Sequence, residues 1–282
     1  MKIASFKAAG AASWGFVDGD QVIDVGAVLG EQYPDLETLI AAEALDAAKA
    51  AIPEAPRVPL ADVVLAPVVS RPGKIFCIGH NYESHRQETG RAKVSYPSVF
   101  LRFADTLTAH GAALIRPRES TSLDYEGELA VIIGRGGRRI AEDEAMAHVA
   151  GLAPSNDASI RDWQWHTQQF TPGKNFPETC ALGPWMVTPD EIEDLGAVTV
   201  TTRLNGQVMQ SQPVSDMLFP IPRIIAYIST FTTLSPGDLI LTGTPGGVEA
   251  KREPPVWMKP GDVVEIDIPG VGLLVNTVAD ET

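Results

Sequence analysis

The segment from Leu123 to Gly134 constrains the fold most strongly, because acidic side chains lead directly into an apolar run typical of a buried strand. Side chains at alternate strand positions share a face, which places Asp124, Glu126 and Glu128 together. Their carboxylates repel one another, and a divalent cation would hold them together beside a core. Oxygen-only ligands favour Mg²⁺, Mn²⁺ or Ca²⁺ over zinc. The alternative is a solvated acidic strand end.

The length and charge of the chain limit the classes of fold and partner. A chain of 282 residues with 44% hydrophobic residues can form one large domain, or a main domain with a smaller appendage. The formal net charge of −14 argues against binding to nucleic acid or to anionic membranes, which require basic patches. A small anion can still bind where a metal or a few cationic side chains reverse the local field.

Features associated with secretion and membranes are absent from the sequence. The two cysteines, Cys77 and Cys180, have neither metal-type spacing nor the number expected of a disulfide framework. The N-terminal residues lack a basic start followed by a long apolar run, and no window approaches the ~18 apolar residues of a membrane span. We therefore expect a cytoplasmic protein.

Residues 1–70 are expected to form a small N-terminal α+β unit, followed by a main domain over residues 71–282. Strands are predicted at 3–6, 14–17 and 21–25, and a single helix over 36–51, where neither Gly nor Pro interrupts the chain. A proline-punctuated connector then ends near Pro72.

The main domain is predicted to be dominated by strands. Further strands are expected at 74–78, 98–103, 198–204, 239–242 and 263–268. Helices are expected at 81–88, with Asn81 as the N-cap, at 142–149, from about 158–162 onward, and at 222–230. The sequence therefore predicts an α+β fold in which β structure dominates.

Two groups of residues have the chemistry of a catalytic site. Asp157 lies at a predicted strand-to-helix transition and would complete a three-carboxylate site with Glu126 and Glu128, although helix capping also explains it. His85 and Glu88 are three residues apart and would share a helix face, so the carboxylate could orient the imidazole and raise its basicity. A surface histidine beside a surface glutamate is the alternative.

Cationic and polar residues farther along the chain are candidates for binding an anion. Lys174 has Gly173 on one side and the aromatic Phe176 two residues on, which suggests a fixed position, and Arg161 and Gln164 follow Asp157. Solvated surface residues are the alternative reading. Additional candidates are Thr244, in a Gly-rich loop that lacks the lysine of a phosphate loop, and His166, which we expect to line a pocket.

Taken in order, these motifs resemble the fumarylacetoacetate hydrolase family over about residues 70–280, near its acylpyruvase-like and 2-hydroxyhepta-2,4-diene-1,7-dioate isomerase-like members. The motifs are Lys74-Ile75-Phe76-Cys77-Ile78-Gly79-His80-Asn81-Tyr82, Asp124-Tyr125-Glu126-Gly127-Glu128-Leu129, Asn156-Asp157, Arg161-Asp162, Gly173-Lys174, Asn205-Gly206, Pro236-Gly237-Asp238 and Thr242-Gly243-Thr244-Pro245. The resemblance implies a mixed β-sandwich roll, a Mg²⁺ or Mn²⁺ site, a homodimer and chemistry on a small anionic 2-oxo acid.

The resemblance also implies roles for individual residues. Metal ligands would be Glu126, Glu128 and Asp157; the catalytic residues His85, Glu88 and Lys174; and the substrate-binding residues Arg161, Gln164 and Thr244. His80, Arg102 and Glu249 depart from the family pattern. We expect these three at the rim of the pocket, where they would affect the choice of substrate.

The leading hypothesis is a divalent-metal-dependent hydrolase that cleaves a carbon–carbon bond in a 2,4-dioxo acid, releasing pyruvate and a carboxylic acid. Oxaloacetate decarboxylation and isomerisation of 2-hydroxyhepta-2,4-diene-1,7-dioate are the alternatives, because the same site could stabilise an enolate in all three reactions. A non-catalytic binding module is the third possibility, although the ligand, base and lysine candidates occur together.

Overall fold

The computed structural model describes all 282 residues as twenty strands and seven α-helices. The helices are α1 (Gly26–Leu29), α2 (Leu36–Ala41), α3 (Leu45–Ala50), α4 (Glu83–Glu88), α5 (Arg161–Gln164), α6 (Thr171–Lys174) and α7 (Ile221–Phe231). Only α7 exceeds two turns, so strands dominate, and the predicted β-dominated α+β fold is confirmed.

The strands divide between residues 1–70 and the rest of the chain. The first five are β1 (Lys2–Ala8), β2 (Ala11–Asp18), β3 (Gln21–Ile23), β4 (Arg57–Pro59) and β5 (Val63–Leu65). The others are β6 (Ile75–Gly79), β7 (Ser98–Arg102), β8 (Leu107–Thr108), β9 (Ala113–Arg116), β10 (Leu123–Asp124), β11 (Gly127–Ile133), β12 (Val149–Asp157), β13 (Ser159–Ile160), β14 (Cys180–Leu182), β15 (Met186–Val187), β16 (Thr199–Leu204), β17 (Gln207–Pro213), β18 (Leu239–Leu241), β19 (Val263–Ile268) and β20 (Gly272–Asp280).

The strands form a large mixed sheet and two smaller ones. The large sheet has thirteen strands, with the central order β4-β3-β2-β1-β15-β12-β11-β18-β6-β7, and β5, β8 and β14 pair at its side. A five-stranded sheet has the order β17-β16-β19-β20-β9, and β10 pairs only with β13. Because β1 pairs antiparallel with β15, residues 1–70 extend the main sheet. The division at residue 70 stays a prediction.

Strand β11 is buried on both faces, as its apolar sequence predicts. Leu129, Val131 and Ile133 belong to a core that includes α7 and residues of the five-stranded sheet. Ala130 and Ile132 point the other way, into a second core that includes residues of α2 and α3. The large sheet therefore separates two hydrophobic layers, with β11 near its middle.

The helix predicted over residues 36–51 is interrupted, so that prediction is wrong in its extent. Glu43 adopts a positive φ of 50° between α2 and α3. The N–H of Ala44 reaches back to the carbonyl of Leu39 at 3.2 Å, which ends α2 with the backbone pattern of a helix C-terminus. The helix predicted at 142–149 is likewise reduced to a single 3₁₀ turn, Ala145–His148, because Val149 already begins β12.

Asn81 does not cap α4, which corrects the predicted role of its side chain. The N-cap of α4 is Tyr82, which makes no side-chain capping bond. The fully buried Asn81 amide instead donates to the carbonyls of Phe219 (3.0 Å) and Thr242 (2.8 Å), and it accepts from Phe219 N–H at 2.8 Å. It therefore joins three segments of chain next to α4.

Replacing Asn81 by serine tests this bridging role. Serine caps a helix about as well as asparagine, but it cannot make three separated hydrogen bonds. We expect Asn81→Ser to lower the free energy of unfolding by about 2–4 kcal/mol, because buried polar groups lose their partners. The measurement is urea-induced unfolding.

Asp35 provides a matched control, because its side chain does cap α2 by accepting from Thr38 N–H at 2.8 Å. Asp35→Ser exchanges one capping residue for another and should change stability by less than about 1 kcal/mol. Equal, small effects of the two substitutions would contradict the bridging role.

Candidate metal centre and its cleft

Three buried carboxylates meet at the floor of a cleft. One carboxylate oxygen from each of Glu126, Glu128 and Asp157 lies within 4.8 Å of the other two. Their exposed fractions are 6%, 2% and 0%. The structure thus brings together the three residues predicted as metal ligands, and we call them the acidic triad.

The antiparallel pairing of β11 with β12 assembles the acidic triad. Glu128 lies opposite Ser155, and the N–H of Asp157 donates to the carbonyl of Glu126 at 2.8 Å. Gly127 is required between the two glutamates, since a Cβ there would lie 2.1 Å from Thr202 Oγ1 on β16. The close approach of β16 therefore explains the glycine in this motif.

Asp124 belongs to a different part of the site, although strand alternation placed it with the two glutamates. The chain leaves regular pairing between β10 and β11, and Asp124 turns to Arg161 Nε, which donates to it at 2.7 Å. Asp124 also accepts from the N–H groups of Glu249 (3.0 Å) and Ala250 (3.1 Å). It holds an arginine and a loop rather than the acidic triad.

Three cationic side chains surround the acidic triad. Lys174 Nζ lies 2.7 Å from Glu126 and 2.6 Å from Asp157, and Arg161 lies 2.7 Å from the other oxygen of Glu126. Arg102, which is also buried, pairs with Asp157. Three buried cations therefore lie among the triad carboxylates, and Arg161 also pairs with the buried Asp124.

These ion pairs affect the members of the triad unequally. Burial opposes ionisation of Glu126, but Lys174 and Arg161 outweigh it and lower its pKa. Glu128 has no cationic partner and accepts only from Gly243 N–H at 2.7 Å. Burial, together with the charges of Asp157 and Glu126, raises the pKa of Glu128 well above its ordinary value. Glu128 is therefore the triad carboxylate in most need of a further positive charge.

Lys174 owes its position to the close packing of two short helices. A Cβ at Gly173 would lie 2.4 Å from the backbone nitrogen of Gln164, so only glycine lets α6 approach α5 this closely. Burial disfavours the ammonium of Lys174, but Asp157 and Glu126 outweigh burial and raise its pKa. The lysine is held as a cation at the floor of the cleft.

His85 lines the cleft from α4, and Glu88 of the same helix pairs with it. His85 Nδ1 lies 3.2 Å from Glu88 Oε2, and no hydrogen bond involves Nε2. Both carboxylate oxygens of Glu88 also lie 3.1 Å from Gly247 N–H. The ring of His80 stacks on His85 with centroids 5.0 Å apart. Burial, then the charges of His85 and Arg91, lowers the pKa of His80 to about 3, so this neighbour is neutral.

The cleft has a volume of about 150 Å³ and contains most of the predicted site residues. Its lining includes His85, Lys174, Arg161, Gln164 and Thr244, together with two triad glutamates. Gln164 accepts from Arg161 at 2.8 Å, and Thr244 donates to the carbonyl of Gly127 at 3.0 Å.

Three expectations about the lining of the cleft are wrong. His166 is exposed and packs against Trp163 outside the cleft. Arg102 lies beneath the acidic triad rather than at the rim. Glu249 is fully buried, where Tyr125 donates to it at 2.9 Å. Of the residues expected at the rim, His80 alone lines the cleft.

Two further cations, Arg91 and Lys251, line the cleft and were not among the predicted site residues. They lie in a loop after α4 and in the 3₁₀ turn Glu249–Lys251, where a single charged residue in a polar stretch carries no recognisable signal.

The acidic triad fits a hard divalent cation. All of its donors are oxygens, and Glu128 lacks the positive partner that the other two acids have. In addition, Arg161 Nη2 is buried without a hydrogen-bond partner and belongs to a residue that lines the cleft. A cation bound at the triad would give the Glu128 carboxylate a positive partner, and an anionic ligand beside it would accept a hydrogen bond from Arg161 Nη2.

Residues 74–279 match the family model described as fumarylacetoacetate (FAA) hydrolase, C-terminal. The chain belongs to the fumarylacetoacetate hydrolase family. It is 41% identical over 225 residues to the mitochondrial oxaloacetate tautomerase FAHD2A of Bos taurus, covering 79% of this chain and 72% of the relative. The resemblance drawn from the ordered motifs is therefore confirmed.

Two solved structures of the family share the whole fold. A protein of Mycobacterium smegmatis described as HpcE is 33% identical, with a TM-score of 0.89 and 100% coverage of both chains. The maleylpyruvate hydrolase of Sphingobium sp. SYK-6, in complex with manganese(II) and pyruvate, is 29% identical, with a TM-score of 0.84 and 100% coverage of both. The manganese-bound relative and the acidic triad together support a divalent metal site in this protein.

The relatives differ in the reactions they are named for, so hydrolysis of a carbon–carbon bond does not follow from membership of the family. No helix in the structure combines the length and apolar character needed to cross a membrane.

Replacing Glu128 by glutamine tests the assignment of the triad as a metal centre. The variant removes one ligand charge, so we expect the Mn²⁺-induced rise in thermal stability to disappear. For the parent, metal at 100 times its dissociation constant adds about 2.7 kcal/mol of stability. Without metal, Glu128→Gln should be at least as stable as the parent at neutral pH, because burial and the charges of Asp157 and Glu126 oppose ionisation of Glu128 in the folded protein.

Glu249 is a matched control, because it is equally buried but lies outside the triad. Glu249→Gln should retain the Mn²⁺-induced rise, whatever its own melting temperature. A full metal response in Glu128→Gln, measured by calorimetry with and without Mn²⁺, would exclude the triad as the metal site.

Proposed function

We propose that this protein is a divalent-metal-dependent enzyme that interconverts the keto and enol forms of a 2-oxo acid, with oxaloacetate as the substrate. The observation that carries the proposal is the acidic triad with Lys174 and Arg161 beside it at the floor of one small cleft. The 41% identity to an oxaloacetate tautomerase supports the choice of reaction and substrate.

The acidic triad would hold Mg²⁺ or Mn²⁺, which when bound supplies positive charge that polarises the 2-oxo group. Arg161 donates its free Nη2 to the adjacent carboxylate of the substrate, while Asp124 and Glu126 hold the guanidinium in place. The Lys174 ammonium stabilises negative charge that develops on the 2-oxo oxygen. The residues thus favour the charge distribution of the enolate.

His85 is the group that moves the proton at C3 of the substrate. Its Nδ1 is engaged by Glu88, so Nε2 accepts the proton from C3 of the keto form and donates it to the enolate oxygen to give the enol. Because tautomerisation only relocates a proton, the reaction consumes no water and forms no second product.

Direct assays of oxaloacetate test the proposal. We expect the purified protein with Mg²⁺ or Mn²⁺ to accelerate decay of the enol form, monitored by ultraviolet absorbance, well above metal alone. EDTA and Glu128→Gln should abolish the acceleration. Pyruvate, assayed with lactate dehydrogenase, should not accumulate. Rapid release of pyruvate from oxaloacetate would instead establish a decarboxylase.

Removing the imidazole tests the role of His85. We expect His85→Ala to slow tautomerisation by about 10²–10⁴-fold, the usual contribution of general acid–base catalysis. His166→Ala is the control, because this exposed histidine lies outside the cleft, and it should retain parental activity. Steady-state kcat is the readout, and a change of less than threefold in His85→Ala would remove the histidine from the mechanism.

Hydrolysis of an acylpyruvate is the second candidate function, and the His85–Glu88 pair favours it. A histidine oriented by a carboxylate can activate water, and a manganese-bound relative is a maleylpyruvate hydrolase. Release of pyruvate from a panel of acylpyruvates, dependent on both metal and His85, would support this function over tautomerisation.

A further inference from the structure

The mouth of the cleft carries positive charge that nothing in the chain neutralises. Arg91 and Lys251 line the cleft, and neither takes part in an ion pair. Their neighbours are paired: Arg86 lies 2.6 Å from Glu83, and Arg252 lies 3.4 Å from Glu249. The nearby acids are thus already engaged, in a chain with a net charge of −14.

The inner part of the cleft differs, because its cations are matched by carboxylates. Lys174 and Arg161 form ion pairs with Glu126 at 2.7 Å each. The cleft therefore has a balanced floor and a mouth with two unmatched cations. A ligand whose single carboxylate binds at the floor would leave both cations of the mouth unmatched.

Backbone contacts hold Arg91 and Lys251 on converging segments. The N–H groups of Gly246 and Gly247 donate to Ser84 and Glu88 of α4 at 3.1 Å, which joins the glycine loop to the helix. Lys251 follows this loop, and Arg91 follows α4.

Each cation also has a local support. The Arg91 guanidinium lies over the ring of Phe170, 5.7 Å from its centroid. The segment of Lys251 is fixed by Asp124, which accepts from the preceding N–H groups of Glu249 and Ala250. The Arg91 side chain and the backbone that carries Lys251 are therefore held in place at the mouth.

We infer that Arg91 and Lys251 form a subsite for the second carboxylate of a dicarboxylic 2-oxo acid, which makes them specificity-determining residues. The inference rests on the proposed function, because a 2-oxo acid bound at the floor directs its far end to the mouth. The cleft volume of about 150 Å³ suits a short diacid, since sites for drug-sized ligands are roughly 300–1,000 Å³.

The experiment compares oxaloacetate with its 4-ethyl ester, which has the same skeleton but lacks the second charge. We expect Arg91→Gln with Lys251→Gln to lower kcat/KM for oxaloacetate about tenfold, mainly through KM, as befits two partly exposed charge contacts. The kcat/KM of the double variant for the ester should differ from the parental value by less than twofold. Lys93→Gln, which removes a charge from the same loop outside the cleft, is the control and should alter neither value.

A binding measurement separates failure of this inference from failure of the proposed function. The probe is the non-enolisable 3,3-dimethyloxaloacetate and its 4-ethyl ester, titrated by calorimetry into the Mn²⁺-loaded protein. Selective loss of affinity for the diacid in the double variant supports the subsite, even if the parent does not tautomerise oxaloacetate. Equal losses for diacid and ester, in kinetics or in binding, would overturn it while leaving the proposed function standing.

Discussion

Charge balance around a buried acidic triad is the constraint on which the site depends. Three carboxylates in a protein interior carry a large desolvation cost unless opposite charges lie beside them. Arg102, Arg161 and Lys174 provide those charges, and each comes from a different element, β7, α5 and α6. The short helices α5 and α6 therefore each place one cation, Arg161 or Lys174, at the end of β11.

Much of the fold was predictable, because strands with an apolar core face leave a clear signature. The double-sided burial of β11 follows from its run of aliphatic residues, and α7 covers the helix predicted at 222–230. The helix break at Glu43 was not predictable, since neither Gly nor Pro marks the residue that adopts the positive φ. The role of Asn81 was hidden because its partners lie 138 and 161 residues away in the sequence.

The candidate site was predictable only where motif and geometry coincide. Glu126 and Glu128 share a face because they flank one strand position, and Asp157 joins them through strand pairing. Arg102 looked like a rim residue, because no local pattern reveals which strand faces Asp157. Arg91 and Lys251 gave no signal at all, since isolated charges in polar loops are usually solvated.

Glu88 links the orientation of His85 to the contact between α4 and the glycine loop. The same carboxylate orients His85 and accepts the N–H of Gly247, so it joins α4 to the glycine loop. If α4 moved away from that loop, Glu88 would lose the Gly247 N–H but would stay beside His85 on the same helix. The carboxylate would then have one fixed contact fewer, and an open cleft would contain a less rigidly oriented imidazole than a closed one.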